Sequence, residues 1–240
     1  IINKNGSYIS DIAKKKAAVM SFLDGKAKKN LSANECYEIG IYTAKLHLIT
    51  KNLSGNRENK LSVKSWRNIY EKVKKNCSEI HPNLPNIIEK NLEQIEINWP
   101  KNMPSGIIHA DLFPDNIFFK NNKISGIIDY YFSCNDAYAF EIAICLNALC
   151  FEGKNENLSF NVTKAKKFID GYSKIRALTE KEKKSLIILC KGAAMRFLLT
   201  RVFDYLNLID GAIVQIKDPI EYLKRLEFHD NVQNYQDYFF

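Results

Sequence analysis

The spacing of apolar residues changes twice along this chain. Ser32 and Glu35 form a capping box, and Ile39, Tyr42, Leu46 and Ile49 recur after it at helical spacing, so a helix is expected from there. Two more helices are expected over about 63–77 and 84–99, divided by His81-Pro82-Asn83. The pattern then shortens. Gly106-Ile107-Ile108-His109 is a brief apolar run, and residues 117–120 and 123–128, joined by Asn121-Asn122, read as a hairpin. Beyond Asp129 the helical period returns, over about 137–150, 162–175, 180–206 and 218–230. Thr179 and Glu182 form a second capping box ahead of the third of these. Upstream, residues 1–16 are polar and then basic, and Ala17 to Leu23 reads as a short buried strand stopped by Asp24-Gly25. The expected class is α+β, a mostly helical body holding one small hairpin.

Length and composition add bounds. The chain has 240 residues, of which 46% are hydrophobic, enough to bury a sizeable core. No apolar run approaches the roughly 18–20 residues that a membrane helix needs, and no signal peptide is visible. Cys36, Cys77, Cys134, Cys145, Cys150 and Cys190 are scattered without metal-site spacing and read as reduced core thiols, which implies a cytoplasmic protein. The net charge of +8 comes from Lys mixed with Glu and Asp along expected helix faces, in a chain also rich in Asn and Ile. It is read as solvated surface, with no nucleic-acid or membrane partner.

Candidate chemistry concentrates in His109-Ala110-Asp111-Leu112-Phe113-Pro114-Asp115-Asn116 and in Asp129, which closes the run Ile127-Ile128. Protein kinases use the spacing His-x-Asp-x-x-x-x-Asn followed by a later Asp for phosphoryl transfer from ATP. In that reading Asp111 orients the acceptor hydroxyl, and Asn116 and Asp129 hold Mg²⁺. The expected hairpin brings those two together across thirteen positions of sequence. His109 is read as support for the loop, since no second His or Cys is spaced to share a metal with it. Each Asp or Asn beside Pro114 would singly be an ordinary turn residue; their joint spacing favours the chemical reading.

The stretch from Gly106 to Glu152 closely resembles the homoserine kinases of the aminoglycoside-phosphotransferase-like type, whose catalytic lobe is similar to those of choline kinases and protein kinases. The residues carrying the resemblance run from Ile108 through Phe119, then Ser125 to Asp129, Cys134 to Ala137, Ala143 to Ala148 and Cys150 to Glu152. Further similar words are Phe160 to Ala165, Arg196 to Arg201, and Asp218-Pro219 through Tyr222, Leu223 and His229. The resemblance implies a kinase-like C-terminal lobe, ATP and Mg²⁺ as cofactors, and L-homoserine as acceptor, on the way to threonine. Choline, an aminoglycoside or a sugar remain alternative acceptors. Where the family usually has Asp, this chain has Glu141, read as a helix-start or loop-bracing residue.

An acceptor with an amine and a carboxylate calls for an acid and an Arg. Arg196 and Arg201 are the candidates, with pairing of Arg201 to Asp204 as the competing structural reading. Asn147 and Glu152 are weaker candidates, and Tyr130, Tyr131 and Phe132 read as pocket wall. No phosphate-covering loop or nucleotide Lys of an N-terminal β lobe is found, and the chain does not start with Met. The expectation is therefore a fragment or truncated product, weakly active or an inactive remnant. Residues 1–25 would be the end of that lobe and its connecting strand, with the backbone at Ser21, Phe22 and Leu23 meeting adenine, and 26–240 the helical catalytic lobe.

Overall fold

A computed structural model describes residues 1–154, 157–208 and 216–239. Its elements are β1 (Ser10–Ile12), β2 (Lys15–Ala17), β3 (Lys26–Ala27), α1 (Ala33–Ile49), α2 (Val63–Val73), α3 (Leu84–Asn98), β4 (Ser105–Ile108), β5 (Ile117–Lys120), β6 (Lys123–Ile127), β7 (Cys134–Ala137), α4 (Tyr138–Leu149), β8 (Phe151–Glu152), β9 (Ser159–Phe160), α5 (Val162–Ile175), α6 (Glu180–Leu206) and α7 (Ile220–Asn231). Both capping boxes form, at Ser32 with Glu35 and at Thr179 with Glu182, each tying two otherwise unpaired backbone donors at a helix start.

The long helix α6 is the axis of the body. It is apolar nearly all round between Leu186 and Val202 and packs on α2, α3, α4 and α7. On the other side α1 lies along α5. Their contact uses small residues: a Cβ added at Gly40 would fall 2.1 Å from the Phe168 carbonyl oxygen, and one at Gly171 would fall 2.0 Å from that of Tyr37. The buried face of α1 is accordingly Cys36, Ile39, Gly40, Thr43, Ala44 and His47. Of the apolar residues expected to face inward only Ile39 is fully buried; Tyr42 and Ile49 are exposed, because close approach to α5 selects the narrow side of the helix.

The expected hairpin forms as β5 and β6, with Ile117 opposite Ile127 and Lys120 opposite Lys123. Asn121 and Asn122 make the turn with φ of 50° and 58°, the left-handed pair that a tight hairpin demands. β3 adds a third strand to it through Lys26 and Ala27. β4 pairs antiparallel with β7, from Ser105 opposite Ala137 to Ile108 opposite Cys134. All six cysteines are free and buried. Among the described residues no helix is long and apolar enough to cross a membrane.

The segment Ala17 to Leu23 departs from expectation. It is not a buried strand: only Ala17 belongs to one, β2, and Val19, Met20 and Phe22 are 63%, 79% and 91% exposed. An apolar run reads as buried only if something covers it, and among the described residues no strand pairs with residues 18–23. Leu23 alone finds a seat, against Gly126 of β6, where a Cβ would lie 2.5 Å from its methyl carbon.

Candidate functional site

β4 delivers His109, Ala110 and Asp111 to one end of the body, and the β4–β7 pairing sets α4 directly behind them. Ala110 holds φ at 65°, a left-handed conformation that costs an L-residue roughly 1–2 kcal/mol. Both of its peptide groups are gripped. Its N–H donates to Glu141 Oε2 at 3.0 Å, and its carbonyl accepts from Arg196 Nη1 at 2.5 Å. Glu141, fully buried in the first turn of α4, also accepts the His109 N–H through the same oxygen. The strained residue is thus clamped between an acid on α4 and a guanidinium on α6.

His109 closes the loop from below. Its Nε2 donates to the Ile128 carbonyl at 2.9 Å, and its Nδ1 accepts the Asp111 N–H at 3.3 Å, which assigns the tautomer. The ring leans on Tyr130 at 4.7 Å. Asn116 Nδ2 donates to the Asp111 carbonyl at 2.9 Å, and the Ile128 N–H donates to the Asn116 carbonyl at 3.0 Å. Asn116 and Asp129 therefore flank the open end of the hairpin. Asp129 sits at φ 61°, ψ 58°, and its exposed carboxylate has no hydrogen bond or ion pair with a described residue. Asn116 keeps its Oδ1 free of described partners.

Burial raises the Asp111 carboxyl above its ordinary range, and the charge of Arg196 works against that rise. Burial likewise raises Glu141, whose two backbone donors pull the other way. A cavity of about 250 Å³ opens onto Asp111, with Phe113, Phe132, Arg196, Thr200 and Asp204 in its wall. A second, of about 660 Å³, lies along Phe113–Asp115 and carries Lys28, Lys29, Lys154, Arg201, Lys217 and Arg225 against Asp115, Asp218 and Glu221. A larger one, about 1040 Å³, opens between α1 and the hairpin turn and touches none of the candidate residues, so size does not mark the site.

Most of the expected site residues converge. Asp111, Asn116 and Asp129 share one end of the hairpin, with His109 beneath. Arg196 and Arg201 line the cavity beside Asp111, though both guanidiniums have protein acceptors. Arg201 does not pair with Asp204. Its Nη1 donates at 2.8 Å to Glu221 Oε2 and at 2.8 Å to the Asp218 carbonyl, because α7 runs alongside and offers two acceptors at once. Ser21, Phe22 and Leu23 approach the hairpin through Leu23 on Gly126 and through Asp24, whose carbonyl accepts from Ser125 Oγ at 2.6 Å and whose carboxylate pairs with Lys120. Arg196 as a loop clamp was not legible in the sequence; its only signal was a guanidinium on an otherwise apolar helix.

A kinase-like α+β fold with an Asp-x-x-x-x-Asn loop and a following Asp defines a phosphotransferase. Solved structures agree on the fold. Amicoumacin kinase aligns with a TM-score of 0.63 at 15% identity, over 97% of this chain and 71% of that one. Choline kinase from Cryptosporidium parvum aligns with a TM-score of 0.63 at 17% identity, over 87% of this chain and 68% of that one. In sequence, residues 6–178 match the phosphotransferase enzyme family. Homoserine kinase from Xanthobacter autotrophicus is 44% identical over 238 residues, 99% of this chain and 73% of that protein. Homoserine kinase from Mesorhizobium japonicum is 41% identical over 98% of this chain and 72% of its own length. The chain belongs to the phosphotransferase enzyme family, and these curated relatives within it are homoserine kinases.

Proposed function

We propose that this chain transfers the γ-phosphate of ATP to the hydroxyl of L-homoserine, giving O-phospho-L-homoserine for threonine biosynthesis. The observation that carries the proposal is the clamped loop that presents Asp111 to a cavity beside Asn116 and Asp129, in a chain 44% identical to a homoserine kinase. Asp111 accepts a hydrogen bond from the acceptor hydroxyl, aims it in line with the phosphorus and takes its proton.

Asn116 and Asp129 fit Mg²⁺. They are oxygen donors at one hairpin end, and the donor nitrogen of Asn116 is already committed to Asp111, which leaves its Oδ1 for a cation. Among the described residues no group of three His, Cys, Asp or Glu forms an all-protein metal cage, and Mg²⁺ with phosphates needs none. Bound there, the ion neutralises phosphate charge. The backbone at Ser21, Phe22 and Leu23 meets the adenine, with residues 1–25 as the connecting segment and 26–240 as the catalytic lobe. His109 supports the loop and contacts no substrate. Arg196 and Arg201 give the acceptor pocket its positive side. ATP and six reduced thiols suit a cytoplasmic setting.

The second cavity, along Phe113, is lined by six cationic side chains against three carboxylates, a balance that suits an anionic group. Incubation with radiolabelled ATP, Mg²⁺ and a panel of L-homoserine, choline and an aminoglycoside tests the reading. Label is expected in phosphohomoserine alone. Unmodified homoserine, with ATP shown to be bound, refutes it.

A further inference from the structure

Arg196, Thr200 and Asp204 follow one another at intervals of four along α6, so they form a single stripe on one face of the helix. All three line the 250 Å³ cavity that holds Asp111. Arg196 stands at the Asp111 end, bound to the Ala110 carbonyl. Asp204 stands about 12 Å further along the axis, two turns away, at the cavity rim, where its side chain is exposed to whatever enters.

Asp204 is not occupied by the cation one turn before it. Arg201 is held by Glu221 and the Asp218 carbonyl, with its guanidinium 4.5 Å from the centre of the Tyr222 ring. Among the described residues Asp204 has no hydrogen bond or ion pair. Partial burial without a compensating cation holds its carboxyl above the ordinary range. A carboxylate in that state gains most from an incoming positive charge.

We propose that Asp204 is an ammonium subsite, receiving the α-ammonium group of the acceptor amino acid while the acceptor hydroxyl lies at Asp111. The inference rests on the reading of the acceptor as homoserine. In that molecule three carbon atoms separate the hydroxyl oxygen from the ammonium nitrogen. Extended, that span is about 5 Å, and with a hydrogen bond of about 3 Å at each end it bridges protein groups up to about 11 Å apart in the cavity both carboxylates line. Its carboxylate then faces Lys217, a cavity cation that is also 3.4 Å from Asp115 Oδ2 at the exposed edge of the site. A primary alcohol lacking the amine fills the same cavity but leaves Asp204 unpaired.

The test compares L-homoserine with 4-hydroxybutanoate, the same chain without the amine, each measured as substrate and the latter also as a competitive inhibitor. Asp204→Asn keeps the shape and removes the charge at an exposed position. For homoserine, kcat/KM is expected to fall about 10- to 100-fold, mainly through KM, the loss expected of one charge-assisted contact. For 4-hydroxybutanoate, the kinetic or inhibition constant is expected to stay within about threefold. Asp204→Glu is expected to recover part of the homoserine KM. Equal weakening of both compounds, or an unchanged KM for homoserine, overturns the subsite. Wild-type protein that fails to phosphorylate homoserine overturns the functional reading itself, a result visible before any variant is made.

Discussion

Replacing Glu141 tests how the loop is held. Its side chain is fully buried, and one carboxylate oxygen accepts both the His109 and Ala110 N–H groups. Glu141→Ala leaves two buried backbone donors without a partner, at about 1–3 kcal/mol each, so a loss of about 2–6 kcal/mol is expected before any cavity cost. It also frees Ala110 to leave its left-handed conformation, which moves the adjacent Asp111. A displacement near 1 Å at the reacting group lowers turnover by about 100-fold. Glu141→Gln keeps one acceptor oxygen and removes the ionisable group, so its stability should stay within about 1 kcal/mol of wild type at neutral pH. The sign of the pH dependence separates the two forms. Burial raises the Glu141 carboxyl, so the stability it contributes is full below the ordinary carboxylate range and is lost as pH rises through the raised value. The Gln variant lacks that loss and should gain on wild type as pH rises. Denaturant unfolding across pH, with steady-state kinetics for ATP and homoserine, gives the readout: kcat falls in the Ala variant while the KM for ATP holds. An Ala variant with wild-type stability and kcat would refute the clamp.

Gly40→Ala pushes a methyl group to 2.1 Å from the Phe168 carbonyl oxygen, a backbone atom, so α1 and α5 must part; a loss of about 1–3 kcal/mol in denaturant midpoint analysis is expected, and an unchanged midpoint contradicts the close packing. His47 is buried and pushed down to about 3, so it stays neutral in the folded protein while the unfolded chain takes up a proton near pH 6.5. Its stabilisation is therefore complete above that value and is lost as pH falls toward 3, by about 2 kcal/mol at pH 5. His47→Gln should remove one proton from the pH dependence of unfolding between pH 7 and 5, and an unaltered slope would reject the assignment.

Legibility in the sequence followed how local each decision was. The long helices could be read because caps and period lie within a few residues: α5 and α6 span Val162–Ile175 and Glu180–Leu206, where the pattern placed them. The hairpin was legible from two asparagines between apolar runs. β7 was not, since Cys134-Asn135-Asp136-Ala137 has no strand character and pairs only because β4 arrives beside it. The apolar run from Ala17 to Leu23 carried no information about its cover, and most of it is exposed. That Asp111, Asn116 and Asp129 meet at one end of the hairpin was legible by spacing, and so was the bracing of the loop by His109 and Glu141. Which backbone donors Glu141 takes was not, because His109 and Ala110 lie more than thirty positions earlier. The local pairing of Arg201 with Asp204 gave way to Glu221 and Asp218, a choice that depends on where α7 returns.

The central claim is that Asp111 orients the acceptor and takes its proton. Asp111→Asn keeps the shape and the loop hydrogen bonds, since its backbone rather than its side chain binds His109 and Asn116. Single-turnover phosphorylation of homoserine, with ATP saturating and the fold checked by circular dichroism, should be slowed by about two to four orders of magnitude at unchanged ATP affinity. A variant that turns over at close to the wild-type rate would contradict the account.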